Sequence, residues 1–161
     1  MNNNNNPIRK IKAIETMYAN TLFRSRLEAR WAVLFDELGV EWLYEYEAFN
    51  LSDGSNYLPD FYFPKWNLYA EIKPTKEFKD SRWLVFGTDV EDSPGLIILT
   101  GKPKIKQCEL YCEYGWTDEC VAIFQGKYAP IYYGRLDQKY IYSGTNVEQA
   151  EIKANSYRFG Y

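Results

Sequence analysis

Two acidic residues and a lysine stand close together in the middle of the chain, in two short runs. Asp60 lies in the run YLPDF, and Glu71 and Lys73 lie in the run AEIKP. Mg²⁺ is commonly held by one or two carboxylates, with waters and substrate phosphate oxygens as its other ligands. A lysine beside such a cation can orient or activate the water that attacks phosphorus. These residue types are therefore suited to metal-assisted hydrolysis of a phosphodiester.

A β-hairpin would bring the three residues together. Apolar-rich runs at 57–63 and 68–72 are separated by Pro-Lys-Trp-Asn, which predicts two strands joined by a tight turn. With this turn at the centre, Asp60 faces Glu71. Lys73 shares the face of Glu71, because side chains alternate along a strand with a period of two. The opposite face is apolar and consists of Phe61, Phe63, Leu68, Ala70 and Ile72.

The facing carboxylates carry an electrostatic cost that a cation would remove. Directly opposed residues have Cβ atoms about 5 Å apart, and at an effective dielectric constant of about 20 two full charges repel there by roughly 3 kcal/mol. A divalent cation between them reverses the sign of this interaction. The alternative is that Asp60 ends a turn and that Glu71 and Lys73 are solvated residues on an exposed sheet face.

An amphipathic helix is predicted before the hairpin, because apolar residues recur at helical spacing and Gly39 is placed to end the helix. The apolar stripe consists of Leu27, Trp31, Leu34, Phe35 and Leu38. Apolar patterns and turn signals predict the remaining elements. These are a strand at 40–49, a helix at 75–86, a strand at 96–100 after a parallel crossover, short strands within 107–142, and a closing helix at 146–157.

This order of elements predicts one α/β domain with a mixed central β-sheet flanked by helices. The domain is expected to span residues 15–161, since no linker divides the chain. Residues 1–14 begin with a run of asparagines that has nothing to bury. They are expected to form a disordered or loosely ordered tail.

The composition excludes several kinds of site. The 161 residues include no histidine, which excludes Ser/His and Cys/His nucleophilic catalysis and any zinc site that needs imidazole. The three cysteines, Cys108, Cys112 and Cys120, lack the usual spacing of thiolate metal ligands and are expected to be small core residues. The sequence has neither an apolar start typical of a signal peptide nor an apolar run long enough to cross a membrane. A cytoplasmic protein without a membrane partner is therefore expected.

Together with the order of elements, the two runs resemble the core of the PD-(D/E)XK, or restriction-endonuclease-like, nuclease superfamily. The P-D of YLPDF and the E-x-K of AEIKP correspond to the motif that gives the family its name. The preceding segment FRSRLEARWA resembles the first helix of small phage and bacterial members. The similarity covers about residues 22–101, and 147–159 faintly resembles a helix common in the same proteins. The resemblance implies a restriction-endonuclease-like fold and Mg²⁺ or Mn²⁺ as the cofactor.

The resemblance also implies roles for four residues. Asp60 and Glu71 would ligate the metal, and Lys73 would act on the attacking water or on the charge that develops at phosphorus. Glu28, on the first helix, would assist the metal directly or through water. Glu28 has a second interpretation, because Ser25-x-x-Glu28 is also the sequence of a helix capping box. The ligand and the cap interpretations both stay open.

Contacts with a phosphate backbone would need local positive charge, since 19 basic and 22 acidic residues give a net charge of −3. The segment 102–106, in which lysines alternate with Pro and Ile, is the best local patch. The candidate nucleic-acid-binding residues are Arg24, Arg26 and Arg30 near the first helix, together with Lys76, Lys79, Lys102, Lys104 and Lys106.

The resulting hypothesis is a Mg²⁺-dependent endonuclease that hydrolyses phosphodiester bonds in DNA, branched or single-stranded DNA included, in repair, recombination or phage DNA processing. Many members of the family act as dimers, so a homodimer is compatible with the resemblance. The alternative is a catalytically inactive nuclease-fold binding protein, such as a phage-encoded inhibitor of a host defence complex or an assembly partner. The trio favours chemistry, because a pure binder has no reason to keep two opposed carboxylates and a lysine on one face.

Overall fold

The computed structural model of the protein describes residues 12–122, 124, 131–133 and 145–160. Within these residues the chain forms α-helices, one short 3₁₀-helix and β-strands. The helices are α1 (Arg26–Glu37), α2 (Arg82–Asp89) and α3 (Thr145–Ser156), and the 3₁₀-helix is Pro64–Trp66. The strands are β1 (Thr16–Tyr18), β2 (Thr21–Phe23), β3 (Leu43–Tyr44), β4 (Phe49–Asn50), β5 (Asn56–Tyr57), β6 (Phe61–Phe63), β7 (Leu68–Lys73), β8 (Leu96–Thr100), β9 (Gln107–Cys112), β10 (Gly115–Ala122) and β11 (Ile131–Tyr133).

One mixed sheet of seven strands, in the order β11-β10-β9-β8-β7-β6-β3, forms the centre of the fold. Its neighbouring strands run antiparallel except β7 and β8, which are parallel and are connected through α2. The predicted mixed α/β architecture, the parallel crossover and the strand at 96–100 are therefore confirmed. Two small sheets, β1–β2 and β4–β5, lie outside the central one.

The predicted hairpin is formed by β6 and β7, and its register is the predicted one. Phe61 pairs with Ala70, and the 3₁₀-helix makes the turn. Asn67 ends this turn in the left-handed conformation, with φ of 50°, which asparagine tolerates better than most residues do. Strand pairing stops at Phe61, so Asp60 lies one residue before β6 and its side chain stands at the end of the ladder.

The two faces of the sheet pack against different helices. α1 and α3 cover the face to which β7 contributes Ala70 and Ile72. α2 covers the other face with Trp83 and Phe86. Because side chains alternate along β7, Glu71 points to the α2 face. The segregation of the apolar residues of the hairpin onto one face is thus confirmed.

Residues 40–49 do not form the single strand that their alternation predicts. β3 covers only Leu43–Tyr44, and β4 begins at Phe49. Between them Glu45 has a positive φ of 48°, and its backbone N–H donates to the carbonyl oxygen of Asp60 at 2.9 Å. This turn redirects the chain beside Asp60. The hairpin of β1 and β2 was not predicted either, because its strands have three residues each.

The helix predicted at 75–86 was placed too early, since α2 begins at Arg82. The run TKEFK before it carries one large apolar side chain, Phe78, which is 53% exposed and gives a helix no face to bury. The Asp80 carboxylate accepts from the backbone N–H of Arg82 at 3.0 Å and so satisfies one free amide at the helix start. The helix then runs through Gly87, where a Cβ would lie 2.5 Å from the carbonyl carbon of Tyr111.

The ends of the chain are only partly described. Residues 12–14 of the predicted tail form neither helix nor strand. Residues 1–11 lie outside the described residues, as do 123, 125–130 and 134–142 of the segment predicted to form short strands. The closing helix is confirmed as α3. In the described part of the chain, every helix is too short or too polar to cross a membrane.

Candidate active site

Asp60 is a buried carboxylate at the end of the hairpin, with 2% of its surface exposed. Its Oδ2 accepts from the backbone N–H of Ile72 at 2.7 Å, so the neighbouring strand fixes the carboxylate. Its Oδ1 accepts from Nη2 of Arg24 at 2.7 Å. The carboxylate is therefore held on one side by β7 and faces a cation on the other.

Burial and neighbouring acids change the ionisation of this residue. Burial, followed by the charges of Glu71 and Glu28, raises the pKa of Asp60 from its ordinary 3.8 to about 8, although the Ile72 N–H and the Lys73 ammonium act in the opposite direction. The predicted carboxylates are thus close enough to repel one another in a dry environment. A proton or a cation at this position relieves that repulsion.

Glu71 and Lys73 form a pair on the same face of β7, as predicted. Nζ of Lys73 donates to Oε1 of Glu71 at 2.5 Å, and the hydroxyl of Tyr57 donates to Oε2 at 2.8 Å. Glu71 is buried, with 6% of its surface exposed. Burial, followed by the charge of Glu71, raises the pKa of Tyr57 well above its usual range, which keeps the hydroxyl available as a donor. The structure therefore contradicts the alternative in which Glu71 is a solvated residue.

Glu28 lies at the start of α1 beside the Ser25 N-cap, where the cap interpretation places it. Ser25 is the N-cap of α1, and its hydroxyl oxygen accepts from the Glu28 N–H at 3.1 Å. The Glu28 side chain accepts from the Ser25 hydroxyl at 2.7 Å and from the Tyr44 hydroxyl at 2.5 Å. Tyr44 in turn accepts from the backbone N–H of Arg24 at 3.0 Å. Glu28 therefore helps to start the helix and also belongs to the network that reaches Asp60.

The carboxylates of Glu28, Asp60 and Glu71 have the chemistry of a dication site, but all six of their oxygens already accept hydrogen bonds from protein groups. In the described part of the chain, no three His, Cys, Asp or Glu side chains form a group that could hold a metal ion. Carboxylate oxygens are nevertheless the preferred ligands of Mg²⁺ and Mn²⁺. The buried Asp60 carboxylate also binds a cation already, the guanidinium of Arg24. The donor set therefore fits a hard dication in type, while protein donors engage its oxygens.

A cleft of about 290 Å³ opens beside this network. Three cationic side chains and one carboxylate line it, and the carboxylate is that of Glu71. The lining residues are Arg24, Ala48, Asn56, Tyr57, Leu58, Glu71, Lys73 and Arg82. A negatively charged group in the cleft would meet donors from three different parts of the chain.

Arg82 is a residue of this cleft that the sequence did not indicate. Its Nε donates to Oδ1 of Asp80 at 3.0 Å and its Nη1 to the carbonyl oxygen of Asn56 at 2.9 Å. Its guanidinium lies 5.3 Å from the centre of the Tyr57 ring. The spacing Asp80-x-Arg82 at a helix start could have indicated this pair. The sequence predicts Tyr57 and Tyr44 only as strand residues. Nothing in it shows which carboxylates their hydroxyls contact.

The other predicted basic residues lie in different surroundings. Arg24 lines the cleft, whereas Nη1 of Arg30 donates to the carbonyl oxygens of Ala154 and Asn155 at the end of α3. Nε of Arg26 is buried and meets no hydrogen-bond partner among the described residues. Lys79 is paired with Glu109. Arg30 and Lys79 are thus engaged by other protein groups.

Three of the predicted lysines lie near one another. Burial, followed by the charges of Lys76 and Lys104, lowers the pKa of Lys106. Nζ of Lys106 also lies 3.6 Å from the position that a Cβ on Gly101 would take. Gly101 donates its backbone N–H to the carbonyl oxygen of Lys73 at 2.8 Å, so this cluster adjoins the end of β7. Lys102, the fourth predicted lysine of this region, is exposed.

The comparisons with known proteins add no relative. No protein-family model, no curated protein and no solved structure matches the chain. A functional conclusion therefore depends on the geometry of Asp60, Glu71 and Lys73 and on the cleft beside them.

Proposed function

We propose that the chain is a metal-dependent endonuclease that hydrolyses phosphodiester bonds in DNA. The observation that carries this proposal is the pair of buried carboxylates, Asp60 and Glu71, beside Lys73 at the end of one hairpin. Gathering these charges in a dry site is costly for a purely structural role. Strongly shifted groups next to a polar cleft are a common sign of a functional site.

Mg²⁺ or Mn²⁺ is the cofactor that these residues would hold, with Asp60 and Glu71 as ligands and Glu28 assisting directly or through water. The bound dication would supply Lewis-acid stabilisation of negative charge on the phosphate oxygens. Around it, the Ile72 N–H holds Asp60 and the Tyr57 hydroxyl holds Glu71.

Lys73 is the residue proposed to act on the reacting atoms. Its ammonium donates to Glu71 and lines the cleft, so it can hold a water by a hydrogen bond and offset charge on a phosphate bound there. The cleft residues Arg24 and Arg82 are proposed to contact phosphate oxygens, since guanidinium groups match phosphate geometry. Repair, recombination and phage DNA processing are the roles that suit this activity.

The alternative is a catalytically inactive nuclease-fold protein that binds a host or phage protein complex. One observation favours it: protein groups donate hydrogen bonds to every oxygen of the three carboxylates. In the described part of the chain these carboxylates do not form a group that could hold a metal ion. In a binding protein, this hydrogen-bond network would serve only to stabilise the fold. The two proposals therefore differ in whether a dication can enter the network.

Cleavage assays separate the two. Plasmid, single-stranded and branched DNA are incubated with Mg²⁺ or Mn²⁺ and with the parent protein, Asp60→Ala, Lys73→Ala, or the control Glu113→Ala, whose side chain is exposed in the β9–β10 turn. We expect the parent and the control to cut at least one substrate, and Lys73→Ala to cut it about 10²- to 10⁴-fold more slowly.

Absence of cutting with both metals on every substrate would overturn the nuclease proposal. Recovery of a tight protein partner in a pull-down that does not depend on a dication would then support the binding protein. Equal cutting by Lys73→Ala and the parent would show that another residue acts on the water.

A further inference from the structure

Arg24 is the cation in direct contact with Asp60, and the two residues differ greatly in exposure. Nη2 of Arg24 lies 2.7 Å from Oδ1 of Asp60. The side chain of Arg24 is 56% exposed, whereas that of Asp60 is 3% exposed. Among the described residues, Arg24 is the one cationic side chain within ion-pair distance of this carboxylate. A largely exposed group therefore covers a buried one that the neighbouring strand holds in place.

Arg24 contacts the oxygen of Asp60 that the strand ladder does not hold. Oδ2 is held by the Ile72 N–H inside the sheet, so Oδ1 is the oxygen directed away from the strand ladder. A dication that binds Asp60 has to approach the same oxygen. Two cations on one carboxylate oxygen repel each other, so either one weakens the binding of the other.

Arg24 has a second anchor that would keep it nearby after it leaves Asp60. Nε of Arg24 lies 2.6 Å from Oε1 of Glu45, and its backbone N–H donates to the Tyr44 hydroxyl. Arg24 also lines the cleft together with Lys73 and Arg82. A rotation about the side-chain bonds of Arg24 would point its terminal nitrogens into the cleft while the Glu45 contact is kept.

We propose that Arg24 is an exchangeable counter-ion, which competes with the dication for Oδ1 of Asp60 and, once displaced, binds a phosphate group of the nucleic-acid strand in the cleft. This inference rests on the proposed function. It assigns an order to binding, because the dication releases the arginine that the phosphate then meets. It also explains why Oδ1 of Asp60 is engaged by a protein group although its chemistry suits a metal.

Thermodynamic coupling predicts the direction in which the loss of Arg24 changes the affinity for the dication and for the phosphate strand. If Arg24 and the dication compete, removing the guanidinium must tighten dication binding, because nothing has to be displaced. The same change must weaken the binding of a phosphate strand, because a donor is lost. A merely structural role would weaken both, and a role in phosphate binding alone would leave dication binding unchanged.

The test uses the full chain as the parent, Arg24→Ala, Arg24→Gln and the control Arg158→Ala, which removes an exposed arginine of the carboxyl-terminal segment. Calorimetric titration with MnCl₂ measures dication affinity, and fluorescence anisotropy of a labelled single-stranded oligonucleotide with Ca²⁺ measures strand affinity. Arg24→Gln keeps a hydrogen-bond donor for Asp60 and Tyr44 without the charge, so it replaces Arg24→Ala if that variant does not fold.

We expect both Arg24 variants to bind Mn²⁺ about tenfold more tightly than the parent and the oligonucleotide about tenfold more weakly. The control should match the parent in both titrations. Unchanged or weaker Mn²⁺ binding by Arg24→Gln overturns the exchange, even if the parent binds Mn²⁺ and cuts DNA. A parent that takes up neither Mn²⁺ nor Mg²⁺ overturns both the exchange and the nuclease. A parent that binds Mn²⁺ with the expected Arg24 effect but cuts no DNA overturns the nuclease alone.

Discussion

Asp60 combines deep burial with two acidic neighbours, which makes its proton a measurable probe of the site. The pKa of Asp60 is raised from 3.8 to about 8, first by burial and then by Glu71 and Glu28. The folded chain therefore holds this proton more tightly than the unfolded chain does. The stability that the group contributes is complete below the unfolded pKa of 3.8 and is lost as the pH rises through about 8.

Replacement of Asp60 by asparagine removes this titration. The amide oxygen can still accept from the Ile72 N–H, and no charge develops at alkaline pH. In buffer with EDTA, we expect the parent to lose stability relative to Asp60→Asn as the pH rises from 3.8 to about 8, by up to about 1.4 kcal/mol for each pH unit, and no further above that range. Urea denaturation across this pH range measures the difference.

The control for this experiment is Asp118→Asn, which changes an exposed aspartate on β10. Its stability should follow the parent at each pH. If the curves of Asp60→Asn and the parent run parallel, Asp60 is ionised throughout the range, and the repulsion among the carboxylates is already neutralised in the metal-free protein.

At the scale of elements, the hairpin was predictable because two signals agree on it. The alternation of apolar residues fixes which face packs against α1 and α3, and a slip of one residue would move Phe61 and Ala70, which are both fully buried, off that face. The Pro-Lys-Trp-Asn turn fixes the centre. Asp60, Glu71 and Lys73 then follow from the register, which is why this part of the candidate site could be placed from the sequence.

The rest of the candidate site depends on contacts between distant segments. Arg82 reaches the cleft because α2 begins at that residue, and this start depends on packing of Trp83 and Phe86 against the sheet. Tyr44 meets Glu28 because the chain turns at Glu45 after a strand of two residues. Short strands and late helix starts have weak periodic signals, so tertiary packing decides them.

Gly87 tests whether the close approach of α2 to the sheet is required. Alanine favours a helix more than glycine does, so an isolated α2 would gain from Gly87→Ala. In the fold, however, the new Cβ would lie 2.5 Å from the carbonyl carbon of Tyr111, and backbone atoms have to move apart.

We expect Gly87→Ala to lower the free energy of unfolding by about 1 to 3 kcal/mol, measured by urea denaturation. Gln149→Ala, on an exposed position of α3, is the matched control and should change stability by less than about 0.5 kcal/mol. Equal or greater stability of Gly87→Ala would mean that α2 can move away from β9 at little cost.

At the scale of the whole molecule, binding of a nucleic acid would depend on where the charges lie rather than on the net charge. The net charge is −3, so long-range attraction cannot bring a nucleic acid to the protein. Arg30 stabilises the end of α3 instead of offering its charge to a ligand. The lysines around 76 and 104–106 are different, because they adjoin the end of β7, and among the described residues they form no ion pair.

Such a cluster offers positive charge to a polyanion, and the salt dependence of binding reveals whether one contacts it. Each phosphate neutralised by a lysine contributes about 0.7 to the slope of log K against log salt for a single strand and about 0.9 for B-form DNA. The double variant Lys104→Ala/Lys106→Ala should therefore bind DNA more weakly and lower that slope by about 1.4 to 1.8. Lys153→Ala, which breaks an exposed pair with Glu37, should leave the slope unchanged. An unchanged slope for the double variant would place the strand elsewhere on the protein.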